Sequence, residues 1–459
     1  MYKTSKKFGL KGRRDEFRNQ NGVYPMKIKM QKATHAQICA VAPKRQIPKK
    51  PNIFFRTLLK LVSLPDLWAT KFKATKIGME KLGRKEPCLI LMNHSSFIDL
   101  EIAVSVFYPR PLNIVATTDA FIGKRWLMRQ LGCMETKKFV SDIQIVRDMK
   151  IMLKEKKSSV LMFPEAGYSL DGRATVLPDS LGKCIKALGV PIVMVTAHGA
   201  FARQPLYNNL RKRKLNVSAT VEYLLSPEEI AEKSSAELNA IIREKFAFDN
   251  FRDQKERGVV IDEPERADGL ERILYKCPHC GAEHKTVGAG TRLTCSNCGK
   301  EYELTPLGEM QAADGNTEFT QISDWVDWQR ENVKRELEKG EYRLDTPVNV
   351  CAIVDAKCIY ALGAGRLTHD ENGFCLTGAD ESFTYKQNAA TAYTINADFY
   401  FYQIADVINI GDKNIQYYCF PIGEKTSVLK VRFAAEEAYK RARSRETEAK
   451  IFSEAPAEK

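Results

Sequence analysis

The sequence lacks long apolar runs. No window approaches the ~18 uncharged apolar residues that a membrane-spanning helix requires, and the first residues have none of the apolar core of a secretory signal. Neither an integral membrane protein nor an exported one is therefore expected. We expect a cytoplasmic protein that is, at most, peripheral on the inner face of a membrane.

Cysteines are present but do not form the pattern of a disulfide framework. Of the twelve, four lie in two C-x-x-C pairs and eight are scattered singly. This distribution is typical of a reducing compartment with one metal site. Histidine is scarcer, with six residues in 459, so a histidine at the end of an apolar run stands out.

Charge is abundant but unevenly placed. The formal net charge is +14, and residues 1–50 contribute +12 of it, with fourteen Lys or Arg against Asp15 and Glu16. This basic leader could bind anionic lipid or nucleic acid, or it could be a solvated flexible tail. The rest of the chain is nearly neutral, which argues against nucleic acid as a partner. A hydrophobic content of 44% excludes global disorder.

From residue 88 to about residue 225, short apolar runs alternate with helical patterns. We interpret CLILMN, NIVATTDAF, SVLMFPE, PIVMVTAHG and KLNVSATVEYL as strands, and DLEIAVSVFY and GKCIKALG as helices. This alternation predicts an α/β fold with a mostly parallel sheet flanked by helices. In such sheets, functional groups gather where strands end.

Residues 53–72 precede this region and place apolar side chains at helical spacing with cations between them. Two interpretations remain open: a helix that lies in a membrane interface, or an amphipathic helix that covers the neighbouring core. Pro65 is predicted to break or restart this helix.

One histidine follows the first strand, in the stretch LILMNHSSFIDLEIA. On a continuous helix, His94 and Asp99 would point about 140° apart. If His94 lies in the loop after the strand, Ser95 or Ser96 can cap a helix whose first turn holds Asp99. The carboxylate can then hold one ring nitrogen and leave the other to take a proton from a hydroxyl. A purely structural capping role for Asp99 is the alternative.

A second strand ends in VLMFPEAGYSLDGR, residues 160–173. Its glycines permit a tight loop with exposed backbone N–H groups. The side chains of this loop that could face a polyhydroxy, anionic ligand are Glu165, Ser169 and Arg173.

Two lysines lie between these motifs. Lys137 and Lys138 follow the run LGCMET and offer positive charge suited to a phosphate. Taken alone, they are typical of surface lysines.

Together these segments, over roughly residues 50–230, resemble the glycerolipid acyltransferase family that includes 1-acyl-sn-glycerol-3-phosphate acyltransferase. The family motif Asn-His-x4-Asp is matched by Asn93, His94 and Asp99. The motif Phe-Pro-Glu-Gly-Thr-Arg-Ser is matched in part, by Phe163, Pro164, Glu165 and Ser169. The family's Val-Pro-Ile/Val strand corresponds to Val190, Pro191 and Ile192.

Two departures concern the substrate that this resemblance implies. Residues 166–168 read Ala-Gly-Tyr where the family has Gly-Thr-Arg, so the arginine expected near the acceptor phosphate is missing. The family's second motif ends in an arginine, for which Lys137 or Lys138 is the nearest candidate. A lysine supplies charge without the bidentate fork of an arginine, and Arg173 could compensate.

The resemblance implies an O-acyltransferase of phospholipid synthesis. His94, aligned by Asp99, would remove the proton from a hydroxyl of lysophosphatidate or a related glycerolipid. The oxygen would then attack the thioester of acyl-CoA or acyl-carrier protein, with backbone amides near Gly167 stabilising the oxyanion. The substrate-binding residues implied are Lys137, Lys138, Glu165, Gly167, Ser169 and Arg173.

The cysteine pairs form a separate motif. They comprise Cys277, Cys280, Cys295 and Cys298, with fourteen residues between the pairs and a glycine after each. Four thiolates at this spacing close a tetrahedral site for a structural Zn²⁺. We expect a zinc ribbon, with His279 and His284 as bystanders.

The last region, rich in short β-like runs, faintly resembles a pleckstrin-homology or GRAM-like domain. We predict a basic flexible tail at 1–47, an acyltransferase domain with N-terminal amphipathic helices at 48–255, a linker at 256–271, a zinc ribbon at 272–305, a helical linker at 306–345, a β-rich C-terminal domain ending in a helix at 346–445, and a tail at 446–459.

Two classes of function remain. The leading one is the acyltransferase, with anionic membrane lipids, a lysophospholipid acceptor and acyl-CoA or acyl-carrier protein as partners. The alternative is a membrane-recruited, non-enzymatic adaptor that uses the zinc ribbon and the C-terminal domain for protein contacts. The joint presence of His94, Asp99 and Glu165 favours catalysis.

Overall fold

The computed structural model describes residues 28–42, 47–140, 142–423 and 426–454. Most of the predicted basic tail, residues 1–27 and 43–46, lies outside the described residues, as does the end of the predicted C-terminal tail, residues 455–459.

The described part of the N-terminal segment packs on the C-terminal part of the chain. It forms β1 (Met30–Lys32) and α1 (His35–Cys39). Thr34 and Gln37 cap α1 reciprocally. Ile38 on α1 is buried in a core that it shares with the C-terminal sheet. This part of the predicted tail therefore contributes to a folded core.

The elements of the next region form one α/β layer. In chain order they are α2 (Ile53–Ala69), β2 (Lys73–Ile77), β3 (Leu89–Met92), α3 (Ile98–Phe107), β4 (Leu112–Thr117), α4 (Arg125–Gln130), β5 (Cys133–Thr136), α5 (Ile143–Lys150), β6 (Ser159–Met162), α6 (Ser180–Leu188), β7 (Ile192–His198), α7 (Ala200–Arg203), β8 (Ser218–Leu225), α8 (Pro227–Glu232), α9 (Ser235–Phe246) and α10 (Asn250–Glu256).

Seven of these strands form a mixed, mostly parallel sheet in the order β2-β8-β7-β3-β6-β4-β5. Only the β7–β8 pair is antiparallel. The central strand β3 is fully buried, because one face packs with α3 and the other with α6 and α9. A strand that is covered on both faces has a continuous run of apolar residues. The run CLILMN therefore predicted the buried strand β3. The α/β prediction is confirmed.

The first helix of this region does not break at its proline. α2 continues through Pro65 to Ala69, so the predicted break is wrong. Proline cannot donate a hydrogen bond to the carbonyl of Leu61, a loss that disfavours a helix. The packing of α2 on α3, through buried apolar residues such as Leu67, offsets that loss.

Four short strands around the cysteine pairs form a second, antiparallel sheet. They are β9 (Thr286–Ala289), β10 (Arg292–Cys295), β11 (Glu301–Leu304) and β12 (Met310–Ala312), in the order β12-β11-β10-β9. The helix α11 (Ile322–Glu338) packs against it. Trp325 on α11 is fully buried, lies edge-on to Tyr302 and donates its indole N–H to the carbonyl of Lys276 at 2.9 Å.

The C-terminal part is a third sheet followed by one helix. Its strands are β13 (Leu344–Ile353), β14 (Ile359–Asp370), β15 (Gly373–Gly378), β16 (Thr384–Asn388), β17 (Asn396–Phe401), β18 (Ala405–Gly411) and β19 (Gln416–Pro421), and the helix is α12 (Val428–Glu454). The strand order is β16-β15-β14-β13-β19-β18-β17, antiparallel throughout, and β1 adds a parallel pairing to the start of β14. The predicted β-rich C-terminal region is confirmed, and its helix continues through residues 446–454, which were predicted to be part of a tail.

The C-terminal sheet packs directly on the α/β region. Ile122, in the loop after β4, shares a core with Phe401, Val407 and other residues of the C-terminal strands. The predicted linker at 256–271 is also packed, since Ala267 and Leu270 are fully buried. Among the helices of the described residues, none combines the length and apolar character that crossing a bilayer requires.

Candidate active site

The candidate active site begins where β3 ends. Asn93 anchors this point, because its side-chain amide donates to the carbonyl of Ala197 at 3.2 Å and its Oδ1 accepts from the Ala197 N–H at 2.8 Å. Ala197 lies on the neighbouring strand β7. The next residue, His94, therefore leaves the sheet from a fixed position.

The His94 ring meets the carboxylate predicted for it. Asp99, in the first turn of α3 and fully buried, places Oδ2 3.0 Å from Nδ1 of His94. The same oxygen accepts the backbone N–H groups of Ser95 at 2.6 Å and Ser96 at 2.9 Å. The prediction that a serine caps α3 is wrong, because Phe97 precedes the helix and no side chain caps it, while Oγ of Ser96 has no hydrogen-bond partner in the described part of the chain. Asp99 thus makes both kinds of contact that the sequence predicted: it holds the backbone of the loop, and it orients the His94 ring.

The imidazole is held between two aromatic rings. The centroid of Phe163 lies 4.0 Å from that of His94, and the centroid of Tyr168 lies 4.2 Å from it. Half-exposed Phe97 meets Tyr168 edge-on. The His94 side chain is 19% exposed, so the ring is held firmly yet reaches the surface. Because Nδ1 faces Asp99, Nε2 is the nitrogen left for a substrate.

Glu165 fixes the loop that follows β6. Its buried carboxylate accepts the backbone N–H of His94 at 3.0 Å and that of Thr175 at 2.9 Å. Burial raises the pKa of Glu165 to about 8, while these two hydrogen bonds oppose the rise. The side chain therefore ties the two motifs together and points into the protein.

The other residues predicted in this loop also make protein contacts. Ser169 is buried, donates its hydroxyl to the carbonyl of Arg173 at 2.6 Å and its N–H to the carbonyl of His94 at 2.8 Å. The Arg173 guanidinium pairs with Asp327 at 2.6 Å and Asp171 at 3.5 Å. Gly167 faces the C-terminal sheet, where a Cβ would lie 3.3 Å from Oδ1 of Asn396.

The two lysines predicted for the acceptor face the C-terminal sheet. The Lys137 ammonium donates to the carbonyl of Asn414 at 2.5 Å. The Lys138 ammonium lies 3.7 Å from Asp119 and 5.5 Å from the centroid of the Phe401 ring. They are therefore not plain surface lysines.

Sequence reasoning missed the acidic neighbours of this loop. Asp119 lies just after the strand β4, near the end of the run NIVATTDAF, and that position alone was a signal. Asp398 and Asn396 lie on β17, more than two hundred residues beyond the motifs, and nothing in their local sequence connects them to His94. Only the packing of the C-terminal sheet brings them here.

The cysteine pairs form a cluster away from this site. The sulfurs of Cys277, Cys280, Cys295 and Cys298 all lie within 4.8 Å of one another. Individual Sγ–Sγ distances of 3.9 Å and 3.8 Å match the roughly 3.8 Å between thiolates on one tetrahedral zinc. The residues after the pairs, Gly281 and Gly299, have φ of 73° and 75°, as tight turns require. The cluster could hold a metal ion.

A basic cavity lies at the opposite end of the α/β sheet from His94. It measures about 600 Å³, and Pro87, Pro111 and Ser159 place it where β3, β4 and β6 begin. Its charged lining consists of Lys50, Arg56, Lys76, Arg84, Lys85, Arg110 and Lys157. His94 follows the carboxyl end of β3, whereas the cavity lies at the amino ends of these strands. The cavity is therefore separate from the His94 site.

The α/β region that holds the His94–Asp99 pair is similar to acyltransferases. Residues 73–197 match the model of the Acyltransferase family, and this range holds β2 to β7 together with the His94 site. Among solved structures, the chain is similar to the 1-acyl-sn-glycerophosphate (LPA) acyltransferase PlsC from Thermotoga maritima, at 16% identity over 42% of this chain and 76% of that chain, with a TM-score of 0.35. No curated protein matches it.

Proposed function

We propose that this protein is an O-acyltransferase of phospholipid synthesis. It moves a fatty acyl group from acyl-CoA or acyl-carrier protein to a hydroxyl of lysophosphatidate or a related glycerolipid. The observation that carries the proposal is the 3.0 Å contact between Nδ1 of His94 and Oδ2 of Asp99, inside the residues that match the Acyltransferase family.

The proposed mechanism uses His94 as the general base. Nε2 takes the proton of the acceptor hydroxyl as its oxygen attacks the thioester carbon, and Asp99 stabilises the imidazolium that forms. When the C–S bond breaks, Nε2 returns the proton to the departing thiolate, so the products are the ester and the free thiol. No covalent acyl-enzyme is needed, because both substrates are bound together.

The loop after β6 supplies the remaining proposed roles. Glu165 and Ser169 position it against His94 through the hydrogen bonds described above. Across the described residues, the backbone N–H of Gly167 has no hydrogen-bond acceptor, which supports a role in stabilising the tetrahedral oxyanion. Lys137, Lys138 and Arg173 line the side on which the acceptor headgroup would bind.

The purified full-length protein tests this function. It is incubated with acyl-CoA or acyl-carrier protein thioesters and a panel of glycerolipid acceptors, and the ester product and free thiol are quantified. We expect ester and thiol in equal amounts. Thiol release without any lipid ester, or no reaction with either donor, would favour the adaptor alternative.

We further propose that the four-cysteine cluster holds a structural Zn²⁺ as a zinc ribbon. Four thiolate ligands leave no open coordination position for catalysis. His279 contacts Glu318 at 3.2 Å and His284 stacks on Tyr275, so both histidines have other contacts. We also propose that the C-terminal sheet is a pleckstrin-homology or GRAM-like domain, since seven antiparallel strands precede a single helix.

We propose that the protein binds peripherally to anionic membranes through α2. This helix exposes apolar side chains, among them Phe54, Leu61, Val62 and Trp68, and a row of exposed apolar residues is a typical interfacial surface. Arg56 on the same helix lines the basic cavity, whose cations suit anionic headgroups.

A matched pair of variants tests this attachment. Val62 on α2 is 65% exposed and Val260, outside α2, is 62% exposed. We expect Val62→Asp to weaken binding to vesicles that contain anionic lipid by roughly tenfold. The substitution removes apolar area that would be buried in the bilayer, and it adds a negative charge that the anionic headgroups repel. Val260→Asp should leave vesicle co-sedimentation unchanged. Equal binding by the two variants would show that α2 is not the contact surface.

A further inference from the structure

Each cation beside the candidate site already has a partner within the protein. Arg173 pairs with Asp171 and Asp327, and Lys137 donates to a backbone carbonyl of the C-terminal sheet. Lys138 faces Asp119. An acceptor phosphate would have to compete with these partners for each cation. In addition, Tyr168 packs against the His94 ring, with the two centroids 4.2 Å apart.

The C-terminal sheet adds negative charge rather than positive charge to the same place. Asp398 lies on β17, two residues after Asn396, which faces Gly167. Burial raises the pKa of the Tyr168 phenol, and the negative charges of Asp99, Asp398 and Asp119 add to the rise. Two carboxylates and the Lys138 ammonium therefore form a cluster on this side of the loop.

Several polar atoms of this cluster have no hydrogen-bond partner in the described part of the chain. They are Oδ1 of Asp119, Oδ1 of Asp398 and Nδ2 of Asn396. Asp119 is only 8% exposed. Buried polar atoms without partners are costly, and two of these three are carboxylate oxygens that only accept hydrogen bonds. A hydroxyl group both donates and accepts, so it can satisfy all three atoms, whereas a doubly ionised phosphate monoester only accepts and can satisfy only Nδ2 of Asn396.

We propose that the acceptor is a glycerolipid with an uncharged, hydroxyl-bearing headgroup, and that the cluster of Asp119, Lys138, Asn396 and Asp398 selects it against a phosphate monoester. This inference rests on the proposed acyltransferase function and narrows its acceptor. It also assigns the C-terminal sheet a part in substrate selection.

The charge of the cluster supports this selection at any protonation state of Asp398. Burial raises the pKa of Asp398 to about 7, the Lys138 ammonium opposes the rise, and Asp119 adds to it. With Asp398 protonated, Lys138 and Asp119 balance each other. With Asp398 ionised, the cluster is negative. Its net charge is therefore zero or negative, and a doubly charged phosphate gains no attraction from it.

An acceptor competition tests the inference. The full-length protein is given one acyl-CoA and two acceptors with the same acyl chain, a monoacylglycerol and a lysophosphatidate. We expect kcat/KM to be at least tenfold higher for the monoacylglycerol. Equal or better use of lysophosphatidate, lost in His94→Ala, would overturn this inference and leave the proposed function standing. Transfer to neither acceptor would overturn both.

Two isosteric variants separate selection from folding. Asp398→Asn and Asp119→Asn remove negative charge, so each is expected to shift the kcat/KM ratio toward lysophosphatidate by roughly tenfold. A merely structural role would lower the rates with both acceptors together and leave their ratio unchanged. The control is Asp345→Asn, which breaks an ion pair with Arg366 on β13 and β14 and should not move the ratio. A ratio that stays constant in both test variants would overturn the inference.

Discussion

Replacing His94 with alanine is expected to lower the rate of acyl transfer by roughly a thousandfold or more, since a positioned general base contributes about that factor. The imidazole is the proposed proton acceptor for the attacking hydroxyl. Its Nδ1 is taken by Asp99, and its other neighbours are two aromatic rings that cannot replace it. The measurement is kcat and KM with a saturating acyl donor.

The chain provides a matched control for this experiment. His198 also pairs with an aspartate, since its Nδ1 lies 2.8 Å from Asp253, but its Nε2 contacts Thr220 at 3.2 Å. Both ring nitrogens of His198 are therefore engaged, and His198→Ala should retain transfer once the folded fraction is taken into account. If His94→Ala and His198→Ala lose activity in parallel with thermal stability, His94 is not the base.

The partner of His94 allows a graded test. Asp99→Asn keeps the size of the side chain and an oxygen for the N–H groups of Ser95 and Ser96, but removes the charge that stabilises the imidazolium. We expect a rate between those of the wild type and His94→Ala, with kcat reduced more than KM is raised. If Asp99→Asn retains the wild-type kcat, Asp99 only holds the loop through Ser95 and Ser96 and does not assist catalysis.

The second large effect is expected at the four-cysteine cluster. In Cys298→Ser, or after chelation, the zinc content should fall from one ion per chain toward none. The free energy of unfolding should fall by roughly 5 kcal/mol or more, because a structural metal contributes its binding energy to folding. Hydrogen exchange should rise first in residues 275–305 and then in α11, whose Trp325 packs on this sheet.

A cysteine outside the cluster is the control. Cys375 lies on β15 and is partly exposed, so Cys375→Ser should keep the zinc content and the melting temperature. Zinc content and hydrogen exchange are read without reference to enzyme activity. A full complement of zinc in Cys298→Ser, or uniform hydrogen exchange across the chain after chelation, would contradict a structural zinc ribbon.

Much of the site could be predicted because its signals are local. The apolar run of β3 followed by Asn93 and His94 indicates a buried strand that ends at a polar loop, and β3 is fully buried in the structure. In the loop that follows, Nδ1 of His94 lies 3.0 Å from Oδ2 of Asp99. The cysteine spacing predicted a cluster that the structure brings together. Two local predictions were wrong, the break at Pro65 and the serine cap. The packing of α2 on α3 keeps the first helix continuous through Pro65, and α3 begins after Phe97 with no side-chain cap.

The sequence by itself determined the α/β alternation, the histidine–aspartate motif and the cysteine cluster, because each depends on residue types at short spacing. Only the tertiary structure decided the electrostatic character of the acceptor side. The pairing of Lys138 with Asp119 joins residues nineteen positions apart, and the approach of Asn396 to Gly167 joins two distant parts of the chain. Electrostatic neutralisation depends on distance in space, and no pattern along the chain encodes it.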